Sequence, residues 1–154
     1  MDMVEYCAGP QLVRQAVSGM TREQLMARPI PGKWSTLEVI CHLADFEIVL
    51  ADRIKRVIAE DNPTMFSGDQ DRFAARLAYH QRDAEEEMVL IEHIRKQVAR
   101  ILRSLPSEAF QRRGTHSESG PMTLATLVER ITGHIPHHVR FIQEKRRALG
   151  LPDV

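Results

Sequence analysis

The sequence predicts an all-α protein, an antiparallel four-helix bundle, and three observations predict it. Long stretches repeat apolar residues at helical spacing, and Pro and Gly gather at the breaks between them. Aromatic residues make up only 5% of the chain, which weighs against an all-β core, and no segment reads as a sustained alternating strand. With 154 residues, 43% of them hydrophobic, the chain is expected to form one domain over residues 1–154 and to bury a core without staples.

The elements follow from local signals. Gly9-Pro10 is a break, and a first helix runs from about Gln11 to Gly19. Thr21-Arg-Glu-Gln24 has the form of a capping box and opens a short helix. Ser35-Thr-Leu-Glu38 is a second capping box, opening a long helix that Asn62-Pro63 stops near Glu60. The third long helix spans roughly Asp69 to Ser104, broken once near Tyr79 and ended by Pro106. Arg112 to Pro121 is a polar, glycine-bounded loop. The fourth helix begins at Thr123 and continues to about Leu149, with Gly150 as its stop.

Charge and cysteine content narrow the function classes. The 21 Lys and Arg balance the 21 Asp and Glu, whereas a duplex-binding domain usually carries a basic excess; no nucleic-acid partner is expected. There is neither a polybasic tail nor an apolar run long enough for a bilayer, so no membrane partner is expected. Met-Asp-Met-Val-Glu lacks the basic and apolar parts of a signal peptide, and a cytoplasmic location is expected. Cys7 and Cys41 are too few for a disulfide framework or a cysteine zinc site, and Cys41 reads as a small core residue.

Residues advance about 100° each around a helix. On the fourth helix Leu124, Leu127, Val128, Ile131, Ile135, Val139, Ile142 and Leu149 gather in one arc, with Glu129, Arg140, Gln143 and Glu144 opposite. His134 and His138 fall on the apolar side and His137 on the polar side. Two imidazoles four residues apart stack on one face and can reach one metal ion. Their burial is also satisfied by hydrogen bonds to water or carboxylates, so spacing alone leaves both readings open. Pro136, between them, deletes a backbone bond to Thr132 and bends the helix.

On the second long helix His42 sits at the margin of the apolar arc, near Phe46 and Val49. Glu38 and Asp45 are close enough in sequence to hold its second ring nitrogen, or all three belong to a boundary ion-pair cluster. In the third helix Leu77, Ala84, Met88, Ile91, Val98, Leu102 and Leu105 define an apolar stripe that His80, Glu87 and Arg95 interrupt. Arg95 is a candidate contact for a substrate anion, or half of a structural ion pair. His116 either overhangs the end of the bundle as a substrate contact or is a solvated loop residue. His93 reads as surface, and the methionines as core filler.

Two stretches resemble a known family. Gly32-Lys-Trp34-Ser35-Thr-Leu-Glu38-Val-Ile-Cys-His42-Leu-Ala-Asp45 is similar to the opening signature of the DinB/YfiT-like superfamily. Thr115-His116, Gly120-Pro121-Met-Thr123-Leu and Gly133-His134-Ile-Pro-His137-His138 resemble its closing segment, and the likeness runs from about Pro31 to Leu149. The resemblance implies a four-helix bundle, often a homodimer, with a divalent ion, zinc or nickel, held by His42, His134 and His138. Pro136 departs from the family pattern, which commonly has an acidic residue there. Three protein ligands leave one position open, as catalytic zinc sites do. The function this implies is a metal-dependent enzyme acting on a small molecule, a hydrolase using water or a transferase using a low-molecular-weight thiol. Glu38, Asp45, Arg95 and His116 are its candidate supporting or substrate-contacting residues. The competing class is a non-catalytic bundle that serves as a binding module.

Overall fold

Capping chemistry starts the helices where the sequence places it. The computed structural model describes residues 3–154. Thr21 and Gln24 bond reciprocally at the start of helix α2 (Arg22–Met26), and Ser35 and Glu38 do the same for α3 (Thr36–Ala59). Thr123 accepts from the Thr126 N–H at the start of α6 (Leu124–Ala148). Gly150 ends α6 at φ +70°, where the Leu151 N–H returns to the Arg146 carbonyl in a Schellman-type closure.

Two helices depart from expectation. Helix α1 spans Val4–Ala16, beginning before Gly9-Pro10 instead of after it, so Pro10 lies inside the helix. Proline cannot donate to the carbonyl four residues back, that of Tyr6. Arg95 fills this gap: its Nη1 donates to the Tyr6 carbonyl at 2.7 Å. A Cβ on Gly9 would stand 2.2 Å from the same Nη1. The Gly-Pro pair is therefore a socket for a guanidinium rather than a helix break. The expected third helix is two helices, α4 (Gln70–Arg76) and α5 (Ala84–Arg103), separated by a 3-10 turn at Tyr79–Gln81 that Ala78 enters at φ +52°. Asp83 caps α5 by accepting from the Glu85 and Glu86 N–H groups. Leu77 and His80, assigned to the apolar stripe, are exposed because they precede the bundle helix.

The four long helices are α1, α3, α5 and α6, and they form the expected four-helix bundle. Helices α1 and α3 each pack against both α5 and α6. Early residues of α3 and α5 (Ile40, Leu43, Met88, Ile91) share one core cluster with late residues of α1 and α6 (Val13, Ile135, Ile142). The opposite ends form a second cluster around Tyr6, Ile54, Leu102 and Leu127. Thus α3 and α5 run one way, α1 and α6 the other, and the antiparallel contacts are α1 with α5 and α3 with α6. Parallel neighbours need a long return, and residues 60–83 supply it, carrying strand β1 (Thr64–Met65) and α4 back along the bundle.

A small sheet closes one end. Strand β2 (Arg113–His116) pairs antiparallel with β3 (Gly120–Thr123) and parallel with β1. The stretch expected to be a loop is thus mostly hairpin; its four-residue strands are too short to show alternation. Gly114 is required here, because a Cβ would meet Val57 Cγ2 at 2.8 Å and the Pro63 carbonyl at 3.0 Å. No helix among the described residues is long and apolar enough to cross a membrane.

Between the two core clusters lies a polar layer with one contribution from each long helix. Arg95, 1% exposed, donates through Nε to Glu47 Oε1 at 3.0 Å, through Nη1 to Tyr6, and through Nη2 to the Ile131 carbonyl at 2.9 Å. The Tyr6 hydroxyl donates to Glu47 at 3.4 Å, and the guanidinium lies over the Tyr6 ring.

Candidate metal centre

Helix α3 brings His42 to the bundle interior about two turns after its Ser35 cap, and α6 brings His134 and His138 to face it. His42 Nε2 lies 3.3 Å from His134 Nε2 and 3.2 Å from His138 Nε2, and each histidine offers one ring nitrogen within 4.8 Å of those of the other two. Aromatic rings wall the cluster. Trp34 stands 5.2 Å from the His42 ring, Phe46 4.5 Å from it on the same helix, and Phe141 5.6 Å from His138. His137 points out to Arg140, as the helical phase requires.

Burial holds the rings neutral. It pulls His42 down to about 4, partly opposed by Asp45, and pulls His134 and His138 to about 3, with the neighbouring histidines adding to the shift. The three Nδ1 atoms are buried, and no described residue bonds to them. A neutral imidazole presents one N–H and one lone pair. With the protons on Nδ1, the three Nε2 lone pairs converge on one point, where a shared cation satisfies them.

The spacing fits a cation. Three imidazoles about 2.0–2.1 Å from one ion in tetrahedral geometry have their nitrogens roughly 3.3 Å apart. The structure has 3.2 and 3.3 Å for the two pairs involving His42. The donor set, three neutral nitrogens, suits zinc, nickel and their neighbours. The three-histidine cluster can therefore hold a divalent metal.

The other candidates from the sequence lie differently. Glu38 does not reach His42: it accepts from the Ser35 N–H at 2.7 Å and pairs with Arg28, whose bonds together with that of Ser35 outweigh burial and keep the carboxyl below its ordinary pKa. Asp45 pairs with Arg82 at 3.0 Å, and Arg82 pairs in turn with Glu87. Arg95 is committed to the polar layer and makes no bond to the three rings. His116 is a buried residue of β2, its Nδ1 accepting from the Glu118 and Ser119 N–H groups.

Sequence reasoning missed two buried polar residues near this centre, Glu47 and Lys145. Both carried a detectable signal. Glu47 falls at a core position of α3 between Leu43 and Ala51, and Lys145 continues the Ile131, Ile135, His138, Ile142 face of α6.

Fold and site together define a helical-bundle protein whose three-histidine cluster can hold a metal ion. The chain belongs to the DinB superfamily, which its residues 6–142 match. A relative in Oceanobacillus iheyensis, named "Putative metal-dependent hydrolase", is 30% identical over 133 residues, covering 86% of this chain and 77% of the relative. YfiT of Bacillus subtilis, under the same name, is 26% identical over 142 residues, covering 92% and 80%. The solved structure of YfiT, described as a probable metal-dependent hydrolase with an unusual four-helix bundle topology, superposes with a TM-score of 0.89 at 25% identity. That alignment covers 96% of this chain and 85% of YfiT.

Proposed function

We propose that this protein is a metal-dependent enzyme acting on a small molecule, a hydrolase or its thiol-transferring counterpart, with His42, His134 and His138 as metal ligands. The observation that carries the reading is the approach of three neutral imidazoles, His42 buried and His134 and His138 half-buried, to metal-ligand spacing. When bound there, a zinc or nickel ion supplies Lewis acidity to a water or a low-molecular-weight thiol at its open position. The residues of this chain do the rest. Burial keeps the three rings neutral well below neutral pH, so the ligand set needs no proton release at pH 7. Trp34, Phe46 and Phe141 form an apolar rim around the centre, which lowers the local dielectric. The names of the relatives support the hydrolase form.

The test is metal analysis of protein purified without chelator, beside His134→Ala and His42→Ala. One ion per chain is expected in the native protein, with clear loss in either variant, since even a group that only orients a ligand is worth about 10–100-fold in metal affinity. Equal metal content in native protein and variants overturns the site. Metal-loaded and metal-stripped protein are then compared on a panel of esters, amides, and electrophiles offered with thiols. Equal rates for the two forms across the panel overturn the enzymatic reading.

A further inference from the structure

We propose that the cleft beside His138 is an anion subsite, in which Lys145 receives the carboxylate of a small organic monoanion whose other end reaches the three-histidine centre. The proposal deepens the functional reading above by naming a substrate class, and its anion-binding half stands on residues outside the ligand set.

The cleft has a volume of about 290 Å³ and opens onto His138. Trp34, Val39 and Phe141 give it apolar walls. Lys145 lines it and is only 3% exposed, although a lysine is rarely buried without a carboxylate partner. Its Nζ donates one hydrogen bond, to the Phe141 carbonyl at 3.2 Å, and sits 6.0 Å from the centre of the Phe141 ring. Among the described residues it forms no ion pair. An ammonium carries three donors, so two remain for an occupant of the cleft. Burial, with Lys33 adding its own positive charge, disfavours the charged form of Lys145, and Glu144 and Glu38 offset this only in part. An anion in the cleft relieves that cost.

Helix geometry places the charge usefully. Lys145 follows His138 by two turns on the same face. Its side chain folds back to the Phe141 carbonyl, leaving the ammonium about one turn, roughly 5 Å, beyond the level of His138. A carboxylate held there leaves a reacting group two to four bonds away, near the centre. Asp71 and Glu144 also line the cleft and balance the charges of Lys33 and Lys145, so the lining carries no excess positive charge to hold a dianion such as phosphate, and a single negative charge is favoured.

The protein contains its own reporter, because Trp34 is its one tryptophan and forms part of the cleft wall. Full-length protein, metal-stripped and zinc-loaded, is titrated with 3-phenylpropionate and with 3-phenylpropionamide while Trp34 fluorescence is followed. The two probes share shape and differ in charge. The acid is expected to bind at least about tenfold tighter than the amide in the metal-stripped protein, as a charge-assisted hydrogen bond provides. Lys145→Met should remove that preference by weakening the acid more than the amide, while Lys145→Arg should keep it. Equal binding of acid and amide to the native protein overturns the proposal without need of any variant, and so does a folded Lys145→Met that keeps the preference. Failure of the metal reading shows separately, as unchanged metal content in His134→Ala.

Discussion

Arg95→Met tests the polar layer that joins the four long helices. The substitution keeps most of the apolar stem and removes three donors: the one at 3.0 Å from Glu47, and those at 2.7 and 2.9 Å from the Tyr6 and Ile131 carbonyls. Glu47, with no solvent exposure and with Oε2 already unbonded, is left with the Tyr6 hydroxyl alone at 3.4 Å. Breaking a buried pair from one side costs about 3–5 kcal/mol. The Tyr6 carbonyl, which Pro10 cannot satisfy, is stranded in the core and adds about 1–3 kcal/mol, whereas the Ile131 carbonyl, inside α6, keeps its helical partner, the Ile135 N–H. Proton uptake by Glu47 returns part of this, since burial already raises its carboxyl pKa against the pull of Arg95. The net expectation is a loss of about 4–6 kcal/mol at pH 7, or roughly 10–20 °C in Tm for a chain of this length. Urea denaturation followed by circular dichroism measures it. The double variant Arg95→Met with Glu47→Leu should recover at least about 2 kcal/mol of the loss, because an apolar pair in place of a buried ion pair is tolerated better than half of one. A single variant within about 1 kcal/mol of the native protein, or a double variant less stable than the single, refutes the reasoning.

Three further outcomes are expected. The folded pKa values of His42, His134 and His138, about 4, 3 and 3, lie below the unfolded value of about 6.5, so the unfolded chain takes up protons that the folded one refuses. Metal-free protein should therefore be fully stable above pH 6.5 and lose up to about 1.4 kcal/mol per ring per pH unit as pH falls toward 4. Urea midpoints at pH 7, 6 and 5 check this, and an unchanged midpoint contradicts it. Gly9→Ala places a methyl 2.2 Å from Arg95 Nη1 and should cost about 1–3 kcal/mol although the site is helical, the reverse of the usual gain for such a change; a more stable variant counts against the socket. Ser35→Ala removes the cap on the Glu38 N–H and should cost about 1 kcal/mol in the same measurement, with no loss indicating that Glu38 alone holds the α3 start.

Much of the bundle was legible because its boundaries are chemical events within a few residues. Ser35 with Glu38, Thr21 with Gln24, Thr123 and Gly150 each satisfy or release specific backbone groups, and the structure uses all of them. Helical phase also separated His134 and His138 from His137. What escaped depended on partners distant in sequence. Gly9-Pro10 reads locally as a break, and only the guanidinium of Arg95 makes it a helix interior. The register of β1 with β2, Thr64 opposite Thr115 and Met65 opposite His116, joins residues with no local pattern in common. At the site, the margin position of His42 on α3 leaves its role open until α6 packs antiparallel against it.

The return segment between α3 and α5 has a consequence for how this scaffold can diversify. Because those two helices point the same way, some chain must travel back along the bundle, and here it passes the mouth of the histidine cluster: Gln70 and Asp71 border the cleft, and Phe73 rests on Phe46. The connection bears none of the three histidines and contributes Pro63, Met65 and Tyr79 to the buried residues. Mutational drift in residues 66–76 can thus remodel which molecules enter while the imidazoles, anchored on two long rods, keep their spacing.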